Sequence, residues 1–266
     1  MPDDPEHDWQ RSGYHQFEIG DVLTRGFAGL RDRLKDVALI SLLLIGGPGV
    51  IVNASSYITE TSNVGGPLLV IVGVIVFIVG AILLPAVLVQ IFVRGFWGEH
   101  LELDVALRDG MARFWPMLGA GIIAGIGMIC GFVLLIVPAF ILYCGWYILL
   151  PIVVGEKRDP VESLTRSWEL TRGYKWQIFA IVLIGTVIAA LAGAVMGGIG
   201  GGVLGLEAVN MDVSADPIKI FLFASMQSLA GVIGTAVSTA FVSSTYVELL
   251  KLKGEYDPDS GAPTFG

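Results

Sequence analysis

Five stretches of this chain contain no Asp, Glu, Lys or Arg: residues 37–59, 61–93, 114–155, 176–206 and 220–247. A helix rising 1.5 Å per residue crosses roughly 30 Å of hydrocarbon in about 20 residues, so each stretch is long enough to cross a bilayer. The composition agrees. Apolar residues make up 54% and charged residues only 15%, where a soluble domain carries about 25% charged, and the mean hydropathy is +0.75. The chain therefore reads as all-α, a polytopic helix bundle in a membrane.

The stretch 114–155 holds room for two crossings, and Pro138 in LLIVPAFIL offers a place to turn between them. Six spans follow, at about 37–58, 68–93, 116–136, 139–155, 176–203 and 220–247. Charge placement tests that count independently, because short cytoplasmic loops collect Lys and Arg. With six spans, one side receives Arg11, Arg25, Arg31, Arg33 and Lys35, then Arg94, Arg108 and Arg113. The same side receives Lys157, Arg158, Arg166, Arg172 and Lys175, and finally Lys251 and Lys253, fifteen of the sixteen basic residues. Only Lys219 falls elsewhere. A single crossing at 114–155 would split these groups between two faces, so the charge pattern requires the hairpin. The reading predicts a multi-pass protein of the cell membrane with both termini cytoplasmic. Polar tails at 1–15 and 254–266 are expected to be disordered around a membrane domain at 16–253. The acidic MPDDPEHDWQ lacks the basic start of a signal peptide, so the first span is expected to be retained.

Each basic segment that precedes a pair of spans has the spacing of an amphipathic helix. Leu23, Phe27, Leu30, Leu34 and Val37 recur on one face of the first; Leu103, Leu107, Met111 and Phe114 do so in the second. In the third, Asp159 suits a cap, Pro160 the first helical position and Glu162 the first turn. Arg172-Gly173 then supplies a cation and a stop. Superposing VLTRGF, ALRDGM and SLTRSW at Leu23, Leu107 and Leu164 divides the chain into three units, each a surface helix followed by two spans.

Glycine is abundant, 35 residues, and lipid gives helices no hydrophobic reason to associate. Small residues at four-residue spacing therefore predict close helix packing, with Gly197 and Gly201 in GAVMGGIGGGVLG as the structural candidates.

Chemistry is sparse. No span interior carries an acid or a base, which disfavours proton-coupled carriers and ion pumps. His7, His15 and His100 lack any metal-ligand spacing. Cys130 and Cys144 read as small thiols within spans, and no nucleophile elbow or phosphate loop occurs. The expectation is a non-enzymatic protein with no cofactor and no metal. A net charge of −8 also excludes a nucleic-acid partner.

One dense polar segment remains, GEKRDPVESLTRSWELTRGYKW. It places Arg166, Trp168, Arg172, Lys175 and Trp176 where aromatic rings and cations meet headgroups, making them the candidate contacts for membrane lipids or for a protein partner at the cytoplasmic face. A competing reading makes the protein a small-solute carrier or channel, with Gln227, Thr235 and Ser238 lining the route.

The run IVPAFILYCGWYILLPIVVGEKRDPVESLTRSWELTRGYKW carries Pro138 in the hairpin, Trp146 and Pro151 in the fourth span, and Glu156 after it. Its helix presents Leu164, Ser167, Trp168, Leu170, Arg172 and Gly173. This signature resembles the membrane domain found with some glycerophosphodiester phosphodiesterases and in related stand-alone six-span membrane proteins, with a distant likeness to the Yip type. The resemblance implies a six-helix domain with Pro138, Glu156 and Gly173 as structural residues. It carries over no catalytic residue, because the diesterase chemistry of such proteins belongs to a separate soluble barrel of about 250 residues.

Overall fold

The computed structural model describes residues 17–52, 66–99, 102–134, 136–204 and 217–255, and every regular element among them is helical. Six helices are long and apolar enough to cross a membrane: Leu34–Val52, Val70–Phe96, Phe114–Val133, Val137–Glu156, Lys175–Ile199 and Ser225–Leu252. They correspond one to one with spans 1 to 6, so the protein is an integral membrane protein of the expected class. The N-terminal tail and the end predicted for span 1, residues 53–58, lie outside the described residues. Gly254 closes the last helix at φ +69° and Glu255 bonds back to the bundle; the rest of the C-terminal tail lies outside the described residues.

The hairpin of spans 3 and 4 exists, but Pro138 is not its turn. The descending helix already starts at Ile136, which puts Pro138 in a first turn whose N–H groups have no intrahelical partner, so the missing donor costs nothing. Close approach is enforced instead at Gly131, where a Cβ would stand 2.9 Å from Cα of Ala139. Span 4 is also broken. Its helix runs Ile136–Gly145, unwinds through residues 146–148, resumes at Leu149 and closes in a widened π turn over Ile152–Glu156. Lys157 then takes the left-handed conformation, φ 57°, and redirects the chain. A second π turn, Leu42–Gly46, interrupts span 1.

The three surface helices are Ile19–Asp32, Leu103–Ala112 and Pro160–Thr171. The first ends at Arg33, so Leu34 and Val37 belong to span 1 rather than to the surface helix. In the third, Pro160 opens the helix and Gly173 closes it at φ +97°. Asp159 occupies the cap position but caps with its backbone carbonyl, which accepts from Ser163, and not with its carboxylate.

Their packing gives the sequence repeat a physical form. At the position before each aligned leucine, Val22, Ala106 and Ser163 are all buried; four residues later Gly26, Gly110 and Ser167 are buried too. Each surface helix docks on the second span of the preceding unit: the second on span 2, the third on span 4 and the first, closing the ring, on span 6. A Cβ at Gly26 would meet Phe241 at 2.7 Å, and one at Gly110 would meet Val87 at 3.1 Å. The carbonyl of Val22 accepts from Ser244 at 2.8 Å, and that of Ala106 accepts from the Gln90 amide at 3.3 Å. Two residues after the aligned leucine every unit forms an ion pair to its socket span. These are Arg25 with Glu248 at 2.8 Å, Asp109 with Arg94 at 3.4 Å and Arg166 with Glu156 at 3.4 Å. The charges are reversed in the second socket alone. Three units arranged head to tail thus gather the charged segments at one end of the bundle, as the charge pattern required.

Spans 2, 4 and 6 supply most of the buried core, including Leu84, Leu88, Ile91, Ile148, Ile152, Phe241 and Tyr246. Away from the core, span 2 exposes Leu68, Ile71, Val72, Ile75, Ile78 and Val79. This helical stripe of large apolar side chains would be unfavourable in water and is the expected lipid face in a bilayer.

Candidate functional site

The polar segment singled out by sequence folds around Glu156, whose carboxylate lies at the end of the π turn with its side chain 1% exposed. Arg158 donates to it through Nε at 2.7 Å, and the hydroxyl of Tyr246 donates from span 6 at 3.1 Å. Arg166 Nε stands 3.4 Å from the same carboxylate, close enough for charge attraction. Its two terminal nitrogens form a fork on Glu255, with Nη1 at 3.2 Å from Oε1 and Nη2 against Oε2. Burial works against the Arg166 charge, but the hydrogen bond to Glu255 and the nearby Glu156 outweigh it and hold its pKa above the ordinary value. Two acids and two bases balance in this hub, the condition for carrying charge away from water. Arg166 is therefore a tie between the third surface helix, span 4 and the end of span 6.

The same helix secures the break in span 4. Unwinding at Gly145 leaves its carbonyl without a helical partner, and Ser167 and Thr171 donate to it at 2.9 and 3.1 Å. The Trp168 ring fills the place that a Cβ on residue 145 would occupy. Lys175 sits over that ring, its Nζ 3.4 Å from the centroid, in cation–π contact.

Of the five candidate contacts, the structure thus engages Arg166, Trp168 and Lys175 within the protein. Arg172 and Trp176 face outward, the latter 78% exposed at the start of span 5. Trp115 takes the matching place at the start of span 3 and is 75% exposed. Sequence reasoning passed over Trp115, although FWP directly after Arg113 is an interfacial signal. It also missed Tyr246 and Glu255, which lie 90 and 99 positions from Glu156 and announce themselves by no local pattern.

The residues proposed for a route separate. Thr235 and Ser238 line a groove of about 620 Å³ between spans 4 and 6, open on one side and shared with Tyr143, Trp146, Tyr147 and Thr239. Gln227 lies instead against span 5, 3.6 Å from where a Cβ on Gly197 would stand. Spans 5 and 6 pack along one another, and a Cβ on Gly197 would meet Gln227 at an ordinary contact distance, so a methyl group fits there while a larger side chain would press on the amide. The surroundings of Gly201 lie outside the described residues.

A family model described as the membrane domain of glycerophosphoryl diester phosphodiesterase matches residues 122–260. That range covers the groove apart from Pro85, the broken span, the third surface helix and the Glu156 hub. Neither the curated proteins nor the solved structures include a significant match to this chain.

Proposed function

The chain belongs to the membrane-domain family of glycerophosphoryl diester phosphodiesterase, and from that premise we propose that it works as a non-enzymatic, lipid-associated module of the cell membrane. Its surface helices face the cytoplasm and contact lipid headgroups. One observation carries the reading. The third surface helix is docked by its buried side, which leaves Arg172 and Trp176 outward at the head of span 5, next in order to an internally paired Arg166. A guanidinium beside an exposed indole suits a phosphate at the level where aromatic side chains anchor helices. The orientation rests on the sequence reading, in which six spans put fifteen of the sixteen basic residues and both termini on one side.

Native mass spectrometry of the gently solubilised protein tests the contact. Replacing Arg172 and Trp176 together by alanine should weaken the binding of copurified anionic lipid about thirtyfold, from roughly 1 kcal/mol for each of the two anchoring groups. The fold should survive. Arg166→Ala should instead lower thermal stability, because it leaves Glu255 without its partner and removes one of the two cations beside the buried Glu156. Unchanged lipid content in the double variant would remove the headgroup contact from this reading.

The carrier reading gains Thr235 and Ser238 at a cavity. It loses Gln227 and the glycine-rich fifth span, neither of which lines that cavity among the described residues.

A further inference from the structure

We infer that the groove between spans 4 and 6 is a binding site for an uncharged lipid, one that carries an apolar chain and a hydroxyl- or carbonyl-bearing head. This site is separate from the surface contact at Arg172 and Trp176, and either can fail without the other.

Packing around the three central spans is unequal. Span 6 packs along span 2, and so does the second half of span 4, but spans 4 and 6 meet closely only near their charged end, around Leu149–Pro151 and at the Tyr246–Glu156 bond. The space left between them is the groove, which Pro85 of span 2 and Gly125 and Met128 of span 3 also line. Its 620 Å³ falls in the range of ligand pockets, about 300–1,000 Å³.

The break in span 4 points to the same place independently. Irregular backbone is tolerated within the apolar layer only where protein covers it or where it lines a cavity. Ile148 is fully buried, whereas Trp146 and Tyr147 line the groove. Ser238 precedes the ion-paired Glu248 by ten residues, about 15 Å along the helix, so the groove lies on the hydrocarbon side of the ring of surface helices.

The wall chemistry selects the occupant. Span 6 contributes Thr235, Ser238 and Thr239; span 4 contributes the phenols of Tyr143 and Tyr147. Thr235 and Thr239 donate to the carbonyls of Gly231 and Thr235 at 2.9 and 2.7 Å, so their oxygens present lone pairs to a donor in the groove. The phenols can donate to a carbonyl. Among the described residues no acid or base lines the groove, so a charged head would lose its hydration there without compensation. Met128, Leu149, Leu150 and Val242 complete an apolar lining for a chain.

The full-length protein in nanodiscs would be photolabelled with a monoacylglycerol bearing a diazirine in its chain, alongside a lysophosphatidic acid of the same chain. The monoacylglycerol should label peptides containing residues 143–150 or 231–242, and the phosphate-bearing probe should not. Ser238→Phe, which fills the groove, should reduce this labelling about tenfold. The shape-preserving pair Ser238→Ala with Thr235→Val should reduce it about three- to tenfold, the loss expected for one or two hydrogen bonds. That second variant decides the matter if the phenylalanine variant does not fold. Labelling spread along the Leu68–Ile75 face of span 2, labelling untouched by both variants, or equal labelling by the phosphate-bearing probe would each overturn the site. Alanine at Arg172 and Trp176 should leave groove labelling intact, which separates the two contacts.

Discussion

The densest glycine region of the chain and its isolated glycines behave in opposite ways. In span 5, Gly193, Gly198 and Gly202 have open space where a Cβ would stand, and Gly197 has only an ordinary contact with Gln227. In spans 2 and 4, single glycines stand where other groups already occupy that volume. A Cβ on Gly80 would overlap the carbonyl oxygen of Leu44, and one on Gly145 would overlap the Trp168 ring. Spans 5 and 6 do run alongside one another, so the difference lies in whether a partner group fills the space over each glycine and not in whether the helices meet. What fills it at the isolated glycines is a partner with a protruding group: the π turn of span 1 pushes a carbonyl toward Gly80, and the third surface helix inserts an indole against Gly145.

The sharpest way to break this contrast is Gly80→Ala. A backbone carbonyl cannot rotate away as a side chain can, so spans 1 and 2 would have to separate, at a cost of about 3 kcal/mol or more. Thermal unfolding in detergent should register it as the most damaging of the glycine substitutions; a variant as stable as the parent would mean that spans 1 and 2 do not touch there. Gly145→Ala should follow, at about 2 kcal/mol, because the Trp168 ring can tilt but only by giving up its contact with Lys175. Intrinsic tryptophan fluorescence should shift along with stability in that variant. Lost stability without a spectral change would indicate that the ring does not move.

Much of the fold was legible because desolvation of charge is a strong, local signal. Every charge-free stretch became one span or two, and the position of fifteen cations settled the ambiguous hairpin. The repeat was legible through Leu23, Leu107 and Leu164, but its closure into a ring was not, since nothing in VLTRGF says that Arg25 meets Glu248 more than two hundred residues later. The site was read only in part for a related reason. Local composition drew attention to Arg166 and Trp168 as exposed contacts, whereas Glu255, Gly145 and Tyr246 turned their polar and aromatic groups inward. Gly145 in particular looks like any of the 35 glycines until the surface helix is in place above it. Thr235 and Ser238 do line a groove, but their polarity in the sequence carries no sign of the divergence of spans 4 and 6 that opens it.

The smallest effect belongs to Gly197→Leu, which should change stability by no more than about 0.5 kcal/mol, the usual range for a substitution outside a packed site. Two contributions nearly cancel. Leucine restores helix propensity lost to glycine, about 0.8 kcal/mol where the backbone is solvated, though less inside a span. Against this, the new side chain must displace Gln227, whose amide lies 3.6 to 4.0 Å from the Cβ position. The amide is exposed and free to reorient, so the steric cost stays small. If instead Gly197→Leu proves as harmful as Gly80→Ala, spans 5 and 6 must approach more tightly than 3.6 Å allows, and Gly197 would join Gly80 and Gly145 as a position that only glycine can fill.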